Sequence, residues 1–219
     1  MSERAEATHI EASRIEAGVA ALGTAGFSVS PGLLPFRLVT TLIAEQRRRE
    51  KAGELSNAGT GRGGAPQDAS QRHVQSSWLN GTSDAEHQFM AFAERLRLAI
   101  NQRLMLGLFD FEAQFLLYPP GGFYRRHVDA LHGDRGRVVS LVAYLNPDWL
   151  ATEGGALAVW PAGGEGEPIA LVAPLAGTVV LMLSEDIPHE ARVASRQRRA
   201  IAGWFSINTS TADRTDPAR

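Results

Sequence analysis

Cysteine is missing from all 219 residues. Its absence excludes disulfides, thiolate zinc sites and a cysteine nucleophile, so any metal must be held by histidine and carboxylate, which favours hard or borderline ions. Also missing is an apolar run approaching the roughly 18 residues of a membrane-spanning helix. The opening "MSERAEATHIEAS" lacks the apolar centre of a signal peptide. A soluble, cytoplasmic protein with no membrane partner is the expectation. Charge of one sign is scarce too. The chain has 22 Lys and Arg against 24 Asp and Glu, for a net charge of -2. The signs are interspersed, so no global field invites nucleic acid. With 44% hydrophobic residues, the length suits one substantial core, and a single domain over 1–219 is expected.

The first half reads as helical. Ile10, Ile15, Val19, Ala20 and Leu22 mark a helix over 8–24 that stops at Gly26. "FSVSPGLLP" reads as a short strand and turn. Leu33, Leu38, Leu42 and Ile43 form the stripe of a second helix, whose charged continuation "AEQRRREKAGEL" reads as a solvated face. The Gly-, Ser- and Asn-rich stretch 56–72 is expected to be a mobile surface loop. A third helix over 84–106 carries Phe89, Phe92, Leu96, Ile100 and Leu104. From residue 111 the pattern turns to short runs of β-branched and aromatic residues: "FEAQFLLYPP", "RVVSLVAYLN", "GALAVWP", "PIALVAP", "GTVVLML", "HEARVA" and "RRAIAGWFSIN". So many short strands predict a double-sheet barrel or jelly roll with the helices on one outer face, an α+β fold. Residues 1–108 would supply supporting helices and a substrate-side loop, and 109–209 the jelly-roll core.

The pattern His-x-Asp occurs twice in "RRHVDALHGDRGR". On a strand, residues i and i+2 share a face, so the pair aims an imidazole and a carboxylate at one point. His127 and Asp129 follow "FYRR" with a valine between them, which suits extended backbone. His132 and Asp134 sit among glycines in a turn-like stretch. The first pair is the better ligand candidate, though so short a pattern is more often a surface hydrogen bond, and it needs a third ligand. His9, His73 and His87 have polar or loop surroundings. His189 follows the strand "GTVVLML" and can project into a barrel mouth. Two histidines and one carboxylate make the facial set of a non-haem Fe(II) oxygenase, and catalytic zinc uses similar types. In "RQRRAIAGWFSIN", strand alternation puts Arg198, Ala200, Ala202 and Trp204 on one face. That face suits a pocket where guanidinium binds a carboxylate and alanines leave room; a basic turn that binds nothing is the bland alternative.

The ordered blocks "LLYPPGGFYRRHVD", "RVVSLVAYLNPDW", "EGGALAVWP", "APLAGTVVLMLSEDIPHEARVA" and "RRAIAGWF" cover roughly 110–207. Together they resemble the 2-oxoglutarate and Fe(II)-dependent dioxygenases, and within them the oxygen-sensing prolyl 4-hydroxylases and their bacterial relatives. The resemblance implies that His127, Asp129 and His189 bind Fe(II) and that Arg198 pairs with the distal carboxylate of 2-oxoglutarate. It further implies that Tyr144 supports that carboxylate, that Tyr118 lines the cosubstrate pocket and that Trp204 stands near the metal. Tyr124, Arg72 and Trp78 fall on the substrate side. Ala202 stands where some relatives have a hydroxyl-bearing residue. Before "WLNG", relatives often carry an Arg-Gly-Asp-like stretch, whereas this chain keeps Arg72 and has His73 and Val74 instead.

The implied chemistry is O2-dependent hydroxylation coupled to decarboxylation of 2-oxoglutarate to succinate, with ascorbate as an optional reductant. The implied partner is a peptide or protein with a target proline, elongation factor Tu being the bacterial precedent. A small-molecule or free-amino-acid hydroxylase and a non-catalytic metal-binding β-barrel sensor remain the competing readings.

Overall fold

A computed structural model describes residues 3–57, 70–130 and 136–208. Helix α1 (Glu3–Ala25) buries Ile15, Val19 and Leu22, and ends at Gly26, whose φ is +75°. Strand β1 (Phe27–Ser30) follows as expected. Helix α2 (Phe36–Lys51) begins after Pro35. Proline disfavours helical backbone in the residue before it, so Leu33 lies outside the helix it was expected to start, although it is buried in the same core. The charged run is also corrected. Glu45, Gln46 and Arg49 are buried in α2 instead of lying on a solvated face.

Two strands from the middle of the chain, β2 (Ser56–Asn57) and β3 (Gln75–Trp78), lead into α3 (Asp84–Leu104). Of the expected loop 56–72, residues 58–69 lie outside the described residues. Ser83 caps α3 by accepting a hydrogen bond from the Glu86 backbone N–H at 3.3 Å. Phe89, Phe92, Leu96 and Ile100 are fully buried along one stripe, each contributing about 1.5–3 kcal/mol of transfer free energy. The helix ends two residues earlier than its pattern suggests, because Met105 turns left-handed at φ +52°.

The remaining strands are β4 (Leu108–Tyr118), β5 (Tyr124–His127), β6 (Arg137–Tyr144), β7 (Leu157–Val159), β8 (Ala170–Val172), β9 (Val179–Leu183), β10 (His189–Ala191) and β11 (Arg198–Ile207). They form a seven-stranded sheet, β1-β9-β6-β11-β4-β3-β2, and a four-stranded sheet, β5-β10-β7-β8. All pairings within the sheets are antiparallel. This is the double-stranded β-helix.

Two apolar clusters follow from strand alternation. One joins the helices to the outer face of the larger sheet and includes Ile201 and Phe205 of β11. The other lies between the sheets and includes Ala200, Tyr118, Tyr144, Val159 and Met182. Among the described residues, no helix is long and apolar enough to cross a membrane.

Candidate active site

Between the sheets a cavity of about 740 Å³ opens at one end, and all ten residues expected at the site line it: Arg72, Trp78, Tyr118, Tyr124, His127, Asp129, Tyr144, His189, Arg198 and Trp204. Pairing of β10 with β5 sets His189 directly opposite His127. Asp129, just past β5, brings its carboxylate oxygens to 3.4 Å from His127 Nε2 and 3.7 Å from His189 Nε2. The three ligating atoms lie within 4.8 Å of one another. His132 and Asp134, the second His-x-Asp pair, lie outside the described residues.

The backbone fixes how the imidazoles face. His127 Nδ1 contacts the Arg125 carbonyl at 2.7 Å and His189 Nδ1 the Ile187 carbonyl at 3.1 Å. With each Nδ1–H donating there, each Nε2 presents its lone pair to the cluster. Burial lowers the His189 pKa to about 4, reinforced by His127 and opposed by Asp129, so the ring is a neutral donor at neutral pH. Burial opposes ionisation of Asp129, but His189, His127 and the Ser140 hydroxyl outweigh it and hold its carboxyl well below the usual range. The Asp129 and Ala130 N–H groups both donate to the Ser184 carbonyl, at 3.0 and 3.1 Å.

Arg198 forms the other end. It is 1% exposed and stacks over the Tyr118 ring, with Cζ 4.1 Å from the centroid. Its Nη1 donates to the Gly155 carbonyl and, at 2.9 Å, to that of Arg192. Nε and Nη2, both on the opposite edge, have no hydrogen-bond partner among the described residues. A buried guanidinium edge without partners is costly, and two parallel donors match one carboxylate. Tyr118 and Tyr144 complete this end. Burial raises the Tyr118 pKa to about 12 and moves Tyr144 in the same direction, so both phenols keep their protons at neutral pH. The residues therefore fit Fe(II) at the thiolate-free triad and a dicarboxylate reaching Arg198.

The outer end is aromatic. Trp78 and Trp204 lie with centroids 6.0 Å apart, and Arg137 covers Trp204 at 3.9 Å while pairing with Glu112 at 2.7 Å. Tyr124 stacks on His127 with centroids 3.6 Å apart. Arg72 lies over Tyr124 at 5.3 Å. The altered stretch after Arg72 finds a physical account here. Val74 is buried in the inter-sheet cluster, while His73 is exposed and holds its place through its N–H to the Phe123 carbonyl at 2.8 Å.

A family model described as the 2OG-Fe(II) oxygenase superfamily matches residues 113–206. A Pseudomonas putida prolyl-4-hydroxylase crystal structure is similar, at 43% identity and TM-score 0.79, over 88% of this chain and 98% of that chain. The chain belongs to the 2OG-Fe(II) oxygenase superfamily.

Enzymes of this superfamily use Fe(II), 2-oxoglutarate and O2, and the Pseudomonas relative puts this member in the prolyl-hydroxylase branch. Human Egl nine homolog 1 is 37% identical over 97 residues, 43% of this chain and 22% of that protein; the rat protein gives the same identity over 28% of its length. The chain thus spans about a quarter of the curated relatives it matches. A Trichoplax adhaerens prolyl hydroxylase, solved with a hypoxia inducible factor oxygen degradation domain peptide fragment, shares the fold at TM-score 0.82 and 23% identity, over 94% of each chain.

Sequence reasoning missed several residues of this superfamily site. Ser140 is the lone serine in "RVVSLVAY", and on a strand between apolar neighbours it could have been flagged. Glu112 and Arg137 are neighbours only through the pairing of both their strands with β11, and no local signal links them.

Proposed function

We propose that this protein is a prolyl 4-hydroxylase that acts on a peptide or protein. The observation that carries the reading is the buried, unpartnered Nε and Nη2 edge of Arg198 in the same cavity as the His127–Asp129–His189 cluster. His127, Asp129 and His189 would hold Fe(II), and Arg198 would receive the distal carboxylate of 2-oxoglutarate with Tyr144 and Tyr118 beside it. When bound, iron and 2-oxoglutarate supply O2 activation coupled to decarboxylation, with succinate and CO2 as co-products.

The chain's own residues orient and exclude. Nδ1 bonds fix both imidazoles, the Ser140 hydroxyl holds Asp129, and the indoles of Trp78 and Trp204 restrict water at the outer end. No general acid or base is needed. A prolyl target is supported by the 43% identical Pseudomonas putida prolyl-4-hydroxylase. Arg72, Tyr124 and Trp78 form the wall such a peptide would meet, and elongation factor Tu is the first protein to test. Catalysis belongs to residues 109–209 on this reading, with 1–108 as support. The proposed setting is the cytoplasm, whose reducing poise keeps iron ferrous.

Incubating the protein with cell lysate, Fe(II) and 2-oxoglutarate should place a single added oxygen on proline, read by mass spectrometry. Alanine at His127, Asp129 or His189 should abolish both that product and succinate. Near-normal succinate from all three variants would reject the site, and hydroxylation confined to small molecules would reject the protein substrate.

A further inference from the structure

The block "EGGALAVWP" has a glycine pair with no role in the chemistry above, yet its second member touches the residue on which the cosubstrate reading depends. Gly154 and Gly155 both have left-handed backbone, φ +67° and +72°. The pair follows a short 3₁₀ turn at 151–153 and enters β7. It is held from the side by the segment leaving β10: Gly155 N–H donates to the Val193 carbonyl at 2.8 Å, and Arg192 N–H to the Ala156 carbonyl at 3.0 Å. Trp149 closes the other side, its indole N–H donating to the Gly154 carbonyl at 3.0 Å. Two successive left-handed residues turn the Gly155 carbonyl onto Arg198 Nη1, where it meets the Arg192 carbonyl.

These two carbonyls use both protons of Nη1. The guanidinium can then rotate neither in its plane nor out of it without losing a buried bond, and the edge it has left to offer is Nε with Nη2. Space enforces the same outcome. A β-carbon at Gly155 would lie 3.3 Å from Arg198 Nη1, 3.1 Å from the Trp149 ring and 2.8 Å from Ala194 Cβ.

We propose that Gly155 is a positioning residue for the cosubstrate: its inward carbonyl and missing side chain fix which edge of Arg198 meets a distal carboxylate, and so set selectivity for a dicarboxylic keto acid. The inference rests on the proposed 2-oxoglutarate reading. It concerns how the guanidinium is held, a function separate from the guanidinium's own contact with ligand.

The test compares two keto acids that share the chelating end and differ in the distal carboxylate, 2-oxoglutarate and 2-oxopentanoate. Each is titrated calorimetrically into Mn(II)-loaded protein, a redox-silent form that needs no turnover. Wild type should prefer 2-oxoglutarate. Gly155→Ala should weaken 2-oxoglutarate by roughly tenfold or more, the scale of a lost charge-assisted pair, with 2-oxopentanoate nearly unchanged. Trp149→Phe keeps an aromatic side chain but removes the indole bond to Gly154, so it should lower the preference by a smaller factor without adding a clash. It decides the matter if Gly155→Ala does not fold.

A general loss of structure or metal would weaken both keto acids together and leave their ratio at the wild-type value. A wild-type ratio in every variant that folds and binds Mn(II) overturns the role of Gly155. A wild-type ratio near one would instead overturn the 2-oxoglutarate reading beneath it.

Discussion

Asp129 has two oxygens and several claimants. The imidazoles of His127 and His189 approach them from the cluster, and the Ser140 hydroxyl bonds the carboxylate from the larger sheet. Ser140 is in turn 2.8 Å from Ser184 Oγ, and both serines are buried. The second hydroxyl therefore completes a chain that orients the Asp129 carboxylate. Such outer partners are typically worth 10- to 100-fold in metal affinity. Ser140→Ala should weaken Mn(II) binding by about that factor, measured by electron paramagnetic resonance titration, and Ser140→Thr should restore most of it. Equal affinity in wild type and the alanine variant would remove Ser140 from the site. At the far end, Arg198→Ala should raise the 2-oxoglutarate concentration needed for half-maximal succinate formation by at least about tenfold. An unchanged requirement would reject the carboxylate role.

Elements show where local pattern sufficed and where it did not. The stripe of α3 and the alternation of β11 were readable directly, because each residue's face follows from helical or strand geometry alone. The end of α3 was not, since "RLMLG" offers a glycine two residues beyond the Met105 cap. Met105 takes the left-handed cap position at φ +52° and is 86% exposed. A side chain there carries a strain of roughly 1–2 kcal/mol and buries almost nothing. Met105→Gly should therefore raise stability by about 0.5–1 kcal/mol after the entropic cost of glycine. A lower urea midpoint would refute the account. The short strand β5 was legible only as extended backbone. Its pairing to β10, which sets His127 opposite His189, joins residues 62 apart and leaves no local trace.

At the scale of the whole molecule, the motif "WLNG" is held by side chains from both flanking helices. Arg49 of α2 donates to Ser77 Oγ at 2.8 Å, the Trp78 carbonyl at 2.7 Å and Asn80 Oδ1 at 3.1 Å, and it pairs with Glu86 of α3. Glu86 accepts from the Asn80 and Gly81 N–H groups at 2.9 and 2.8 Å. The wall that carries Trp78 is thus tied to the helical layer. Without Glu86, Arg49 keeps Glu45 at 2.9 Å, but one edge of its guanidinium and the Asn80 and Gly81 N–H groups lose their acceptor, at a cost of about 1–3 kcal/mol. Glu86→Ala should lose stability on that scale in denaturant unfolding; a loss below about 1 kcal/mol would show that Arg49 finds water instead.

Arg49 also explains the misreading of α2. In the sequence its run looks like a solvated face, because charge is normally exposed and the partner Glu86 lies 37 residues away. What the sequence by itself determined were features set by local geometry: three helices, the run of short strands, a donor set without thiolate and the face shared by Arg198 and Trp204. What only the tertiary structure decided were juxtapositions across the chain, namely His127 against His189, Gly155 against Arg198, Ser140 against Asp129 and Arg49 against Glu86. Periodicity reports which way a side chain points, but which group it meets depends on strand register and on packing between layers.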